Sequence, residues 1–492
     1  MTWRDYHERT KHSPESLRRL RGPLDWANMP DPFRHYEGVT LLDLPADPPF
    51  PDVPADQLLR GSYGTSHVRD GATFLSQLLF YSAAVSASKR VPSTGYRYAL
   101  RVNPSSGNLH PTEFHFLTRG LTDWPDGLYH YRPSSHMAEQ RARGDFHAKL
   151  PFGLGPIVFV LTSIQWREAW KYGNRAYRYC LHDIGHAWEA LVLSARAMGC
   201  ESFATGHFFD DEVARVCGLN DDEWPMLIVS LQGTSIPLRE PDAGKIVWFG
   251  GNANQLSSET ITYPLIEGIH SATKVTRDAP GELVIPNPAA AGSGDIKLPV
   301  PTASSRSFGE VSRARRSALN FVGDGSMSLP QLSAILSTVV QPFSADFASA
   351  RFVQLYVYAH RVDGLQPGIY RHWPEAAELE QIRLGDQRII AAGLSLGQEL
   401  AGNACIAISM IADLDRATRS HGERGYRYAH FEAGAIGQRL YLAAETLGLG
   451  ATGIGAFFDD EVHRYLAVKP DQGQVVYHFA IGHPVPDARL QG

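Results

Sequence analysis

A chain of 492 residues, 43% hydrophobic and 20% charged, has the composition of a globular protein with room for two or three domains, which excludes disorder as its main state. Its 46 basic and 52 acidic residues leave a net charge of −6, which excludes general binding along a nucleic-acid backbone. The longest apolar runs, such as 404–412, are too short to span a membrane, the first residues carry no apolar signal segment, and the four cysteines (Cys180, Cys200, Cys217, Cys405) form no C-x-x-C pair and read as buried free thiols of a cytoplasmic protein.

In chain order, residues 1–57 hold the run Pro45-Ala-Asp-Pro-Pro-Phe-Pro51 and little periodicity, and read as a leader that wraps a surface. Residues 58–240 read as a first α+β domain. It has a strand over 156–161, a helix over 184–198 stopped by Gly199, and a strand over 227–231. Residues 241–307 are rich in Gly, Pro, Ala and Ser, most densely at 286–294, and read as an extended exposed linker. Residues 308–492 read as a second α+β domain, with strands over 351–358 and 474–480 and a helix over 429–447 stopped by Gly448.

The two domains repeat one another. Gly173-Asn-Arg-Ala-Tyr-Arg-Tyr179 returns as Gly422-Glu-Arg-Gly-Tyr-Arg-Tyr428, and Phe208-Phe-Asp-Asp-Glu-Val213 returns as Phe457-Phe-Asp-Asp-Glu-Val462, both at a shift of 249. With gaps, Leu75-Ser-Gln-Leu78 matches Leu329-Pro-Gln-Leu332, and Gly127-Leu-Tyr129 matches Gly368-Ile-Tyr370. The period is far too long for a solenoid. A duplicated domain can pack on itself as an intramolecular pseudo-dimer, in which one composite site keeps its chemistry while the other decays.

Four stretches carry candidate chemistry. Arg101-Val-Asn-Pro-Ser-Ser-Gly-Asn-Leu-His-Pro111 makes a sharp turn whose Ser105, Ser106 and Asn108 offer short donors and acceptors to a polar planar ligand bearing a phosphate; the alternative is an ordinary Ser or Asx turn before a helix. Arg315, Arg316 and Ser317 offer a phosphate clamp, or else a solvated basic run. Gly453-Ile454-Gly455, with its counterpart around Gly206, lets backbone N–H groups approach a flat ring, or is a turn beside the core. Lys171-Tyr172 offers a base and a proton relay, provided burial lowers the basicity of the lysine; the alternative is an exposed loop pair.

Together these pieces resemble the nitroreductase-like flavoproteins and, within them, the SagB-type group that includes azoline dehydrogenases. The motif from Arg101 to Glu113, Gly127-Leu-Tyr-His-Tyr131 and the opening Tyr6-His-Glu-Arg-Thr-Lys-His-Ser13 carry the likeness. It implies a tandem nitroreductase fold with FMN held between the halves by Arg101, Ser105, Ser106 and Asn108 of the first and Arg315, Arg316, Ser317, Gly453, Ile454, Gly455 and Arg489 of the second. It also implies Lys171 as base with Tyr172 as relay at the same centre. The second centre is expected to be lost, because Pro342-Phe-Ser-Ala-Asp-Phe-Ala-Ser349 and Arg60-Gly-Ser62 are poor versions of the two motifs. The implied substrate is a small heterocycle or a modified peptide, with partner proteins of a peptide-modifying pathway. An NAD(P)H-dependent nitro or quinone reductase and a non-catalytic flavin-binding scaffold are the rivals.

His182 and His186, with Asp183 and Glu189 nearby, have spacing that can place two imidazoles on one metal, but no third ligand is evident and a packed helix face is the preferred reading. No G-x-G-x-x-G follows a strand, and no G-x-S-x-G elbow is present.

Overall fold

The computed structural model describes residues 1–19, 22–150, 155–242, 244–278, 292–348 and 351–491. The densest part of the expected linker, 286–291, and Ser349 of the expected second loop lie outside the described residues.

Each half is an antiparallel sheet of the same plan. The first runs Val247–Trp248, Met137–Arg143, Gly127–Arg132, Thr112–Thr118, Ile157–Ile164, Glu223–Gln232, Glu201–Thr205, with Thr40–Asp43 also paired to Met137–Arg143. The second runs Ile296–Lys297, Glu378–Leu384, Gly368–Trp373, Val353–Ala359, Ile406–Ala412, Gln474–Gly482, Gly450–Ile454. The central strands are continuous apolar runs because a helix layer covers one face and loops and short helices cover the other.

The helices that join the halves are α1 (Ala176–Ala197) and α2 (Gly425–Thr446), related by the shift of 249. Both are buried nearly throughout and pack on each other. Gly185 and Gly434 are equivalent positions at the crossing. A Cβ on Gly185 would strike the Phe431 carbonyl oxygen, and one on Gly434 would strike the His182 carbonyl oxygen. The two backbones therefore meet across a pseudo-twofold axis. Gly199 and Gly448, at φ +77° and +71°, end the helices as expected.

The repeated motifs prove to be the clamp between halves. Asp459 of the second half takes Arg178 at 2.8 Å and Arg175 at 2.9 Å from the first, and Asp210 of the first half takes Arg424 at 2.5 Å and Arg427 at 2.8 Å from the second. All six side chains are buried.

Each clamp is covered by a short helix, and here two expectations are corrected. The start of the leader is not laid on a surface: in the helix Trp3–Arg9 and just beyond it, Trp3, Tyr6, His7 and Thr10 are buried. Arg178 donates to the His7 carbonyl and Thr10 Oγ1, Arg175 donates to the Thr10 carbonyl, and the His12 N–H donates to Asp459. The linker is not simply extended: its helix Pro264–Thr273 makes the same bonds on the other side. Arg427 donates to the His270 carbonyl and Thr273 Oγ1, Arg424 donates to the Thr273 carbonyl, and the Val275 N–H donates to Asp210. Lys11 and Lys274 then pair with Asp460 and Asp211. His-x-x-Thr-Lys is thus itself repeated, at a shift of 263, and leader and linker helix are equivalent parts of the duplicated unit.

Candidate functional site

The halves enclose a cleft of about 420 Å³, within the usual ~300–1,000 Å³ of cofactor and small-molecule sites. Arg101, Ser105, Ser106, Asn108 and Tyr172 of the first half line it with Arg315, Arg316, Ser317, Gly453, Ile454, Gly455 and Arg489 of the second. Every expected cofactor-binding residue is therefore brought to one place.

The Pro-Ser-Ser-Gly loop is held by its own residues. Gly107, Asn108 and His110 all adopt positive φ, at 59°, 60° and 49°. Ser105 Oγ accepts the His110 N–H at 2.8 Å, and Asn108 Nδ2 donates to the Ala99 carbonyl at 2.9 Å. Ser106 donates to Asp183 through its backbone N–H and its hydroxyl, at 3.2 Å each. Ser105 and Asn108 thus shape the loop, and Ser106 docks it on α1. The loop leads into the strand Thr112–Thr118 and not into a helix, because β-branched and aromatic residues follow Pro111.

Arg315 crosses between halves, donating from Nε to the Val102 carbonyl at 2.9 Å and from Nη2 to the Arg101 carbonyl at 3.1 Å. Its Nη1 is buried and unpartnered. Arg101 is buried with Nε and Nη1 unpartnered, and desolvation lowers its pKa to about 10. Arg316 is lowered to about 10 by desolvation and then by its neighbour Arg315. A cleft lined by Arg101, Arg315, Arg316 and Arg489, two of them with unpartnered buried N–H groups, favours an anionic occupant. Arg489 and Lys89 share Asp487, at 2.9 and 2.8 Å, at the rim.

The expectation that the Gly453 N–H faces a ligand is corrected. That amide donates to Tyr441 Oη at 2.8 Å, and Tyr441 Oη also lies 2.8 Å from Ser317 Oγ, so one tyrosine ties the glycine loop to the arginine motif. Tyr477 and Tyr179 press so closely behind Gly453 and Gly455 that neither position could carry a Cβ unchanged.

Lys171 is exposed at the cleft mouth, so the burial on which its reading as a base depended is absent. Its Nζ and the Tyr172 hydroxyl flank Gly107, 3.0 and 2.6 Å from where a Cβ would stand. Desolvation, and then Glu168, raise Tyr172 well above the usual phenol, so it stays protonated. Beneath the loop, burial raises Asp183 to about 7 despite the serine hydrogen bonds, and it raises Glu168 well above the carboxylate range.

His182 and His186 do not converge. His182 stacks on Tyr477 and His430, whereas His186 Nε2 lies 3.1 Å from Tyr477 Oη. Among the described residues no three His, Cys, Asp or Glu side chains are grouped to hold a metal.

At the pseudo-symmetric position only about 160 Å³ remains. Asp346 accepts the Gly206 and His207 N–H groups at 2.8 and 3.0 Å. Phe347 stacks at 4.3 Å on Tyr428, the equivalent of Tyr179, and Trp188 packs on Phe343 and Phe347. Arg60, from the eroded motif, pairs with Asp56.

The site reading missed Tyr179, His186, Tyr441 and Tyr477, all of which line the cleft.

A sheet-and-helix unit, duplicated and closed on itself around an open interdomain cleft, defines the class to which this protein belongs. The family model described as "Nitroreductase family" matches residues 82–233 and 312–483, well over half the chain, and the chain belongs to that family. Over 120 residues, 24% of this chain, it is 36% identical to "Putative nitroreductase MJ1384" of Methanocaldococcus jannaschii. Over 131 residues, 26% of this chain, it is 33% identical to trifolitoxin operon protein TfxC of Rhizobium leguminosarum bv. trifolii. These matches cover 59% and 36% of the relatives' own lengths, less than two thirds of either. A crystal structure of a protein described in the same way as the first, from Anabaena variabilis, is similar over 98% of this chain and 99% of that one, at 27% identity and a TM-score of 0.77. Among the described residues no helix is long and apolar enough to cross a membrane.

Proposed function

We propose that the chain is an FMN-dependent oxidoreductase of the SagB, azoline-dehydrogenase type, with one FMN per chain, acting in the cytoplasm on a heterocycle in a peptide or small molecule. The observation that carries this reading is the asymmetry of the two composite sites. One keeps a cleft of about 420 Å³ with unpartnered N–H groups on Arg101 and Arg315, and the other is filled by Phe343, Phe347 and Asp346.

The residues present fit the cofactor. Arg101 and Arg315 supply cationic N–H groups with no protein acceptor, Arg316, Arg489 and Lys89 add charge at the rim for a phosphate, and the glycine loop backed by tyrosines offers a flat wall. When bound, FMN supplies acceptance of a hydride. The chain's own part is to hold substrate against that wall and to manage the second hydrogen, which leaves as a proton. Tyr172, protonated and set over Gly107, can carry that proton as a relay, with Lys171 at the mouth linking it to solvent.

The likeness to a protein named for a trifolitoxin operon supports a setting with partner proteins, and that the setting is peptide-modifying is what the SagB-type resemblance implies. The likeness to a protein named as a nitroreductase supports a second reading, reduction of nitro or quinone compounds by NAD(P)H. The test is to count released flavin per chain and then to follow anaerobic bleaching by a thiazoline peptide and by NAD(P)H. Fast bleaching by the peptide supports the dehydrogenase, and fast bleaching by NAD(P)H alone supports the reductase. A chain that takes up no FMN would overturn both and leave the scaffold.

A further inference from the structure

Glu168 is fully buried, and among the described residues neither carboxyl oxygen has a hydrogen bond of good geometry, the Ser105 hydroxyl standing near it. Asp183 approaches from α1, Lys171 and Tyr172 stand one turn away on its own helix Gln165–Tyr172, and Cys180 faces it from α1. Two buried carboxyls that oppose each other's charge favour a state in which at least one holds a proton. Asp183 has the donors, from Ser106, and so is the better site for the charge, while Glu168 is the better site for the proton. The filled side of the molecule has dismantled this arrangement. Ala417 stands at the equivalent of Glu168, and Glu432, the equivalent of Asp183, is spent on the Phe352 and Val353 N–H groups. An unpartnered buried carboxyl is costly, and this one stands behind Tyr172 and Asp183, which line the open cleft.

We propose that Glu168 and Asp183 form a proton-sharing pair that serves Tyr172 as a proton store. The inference rests on the reading of the cleft as a redox site. FMN, when bound, would supply hydride acceptance, and the substrate's other hydrogen would leave as a proton to the Tyr172 oxygen. The tyrosine would pass its own proton toward the Asp183 carboxylate, taking the pair from one proton to two. The extra proton returns by the same hydroxyl to Lys171 and solvent. Glu168 touches neither substrate nor cofactor, and acts by setting the proton affinity of its partner.

The first measurement is the infrared spectrum of the FMN-free full-length chain near neutral pH. A protonated-carboxyl C=O stretch is expected, and it loses intensity in Glu168→Gln. The second is the reduction potential of the FMN-loaded chain against pH. An inflection near neutrality is expected in the wild type and moves to lower pH in Glu168→Gln, a change that a merely structural role would not produce. If Glu168→Gln does not fold, Asp183→Asn is expected to remove the inflection. No protonated carboxyl in the wild type, or an unchanged potential profile in the variant, overturns the pair. A carboxyl band in a chain that takes up no FMN overturns the redox reading and leaves the store without a reaction to serve, which overturns the inference too.

Discussion

The Arg315 guanidinium, from the second half, donates to the backbone carbonyl of Arg101, in the first half, at 3.1 Å, and to that of Val102 at 2.9 Å. Two arginines expected to hold a cofactor side by side are instead joined through one of their backbones, and the contact fixes where the Pro-Ser-Ser-Gly loop begins. Arg315→Ala leaves two buried carbonyls unpaired and is expected to cost about 2–3 kcal/mol of stability. Arg315→Lys keeps the charge but loses the fork, and is expected to weaken FMN on the order of tenfold with a smaller loss of stability. Denaturant melts and flavin fluorescence titration measure the two effects, and equal FMN affinity in Arg315→Lys would count against a role for the fork.

The clamps set an acid limit. Desolvation opposes the charge on Asp459, but Arg175 and Arg178 outweigh it and lower its pKa to about 2. Because the folded value lies below the ordinary 3.8, the contribution to stability is fully present above about pH 4 and is lost as pH falls toward 2. Asp459→Asn strands two buried arginines and is expected to cost about 3–5 kcal/mol, with a flatter melting profile over that range. Asp210→Asn, the equivalent change, is expected to behave alike.

Asp183 has the opposite sign. Burial raises its pKa to about 7, above the ordinary 3.8, so the folded state binds the proton more tightly than the unfolded one. Stability is then greatest below about pH 4 and declines as pH rises through 7, by on the order of 4 kcal/mol for an isolated group. Asp183→Asn is expected to remove most of this decline, so that its Tm exceeds that of the wild type on the alkaline side. A wild-type Tm that is level between about pH 4 and 8 would contradict it.

Much of this was legible in the sequence, and the misses have physical reasons. A constant shift of 249 revealed the duplication, and Gly199 and Gly448 revealed the helix ends. The reason for Gly-x-Arg-x-Tyr-Arg-Tyr was hidden, because each arginine meets an aspartate from the other copy. The repeat of His-x-x-Thr-Lys was hidden by its different shift, 263, which moved it out of register with the rest. Tyr441 and Tyr477 lie within an ordinary helix and strand, and only the fold brings them to the cleft. Their signal was available as asymmetry, since the first copy has Val192 and Ile228 at those positions.

That asymmetry bears on the last prediction, one FMN per chain. Restoring a second site would require more than room. Phe347→Ala removes the ring that covers Gly206 and Tyr428, and is expected to cost about 3–5 kcal/mol as a buried aromatic truncation. It would leave Asp346 on the Gly206 and His207 amides, a carboxylate where an anionic cofactor would lie, and Arg60 still drawn to Asp56. The flavin count is therefore expected to stay at one in both Phe347→Ala and the double change with Asp346→Ala, as read from absorbance of the loaded, desalted protein. A count of two in either would mean that the filled site had kept its binding groups and lost only its space.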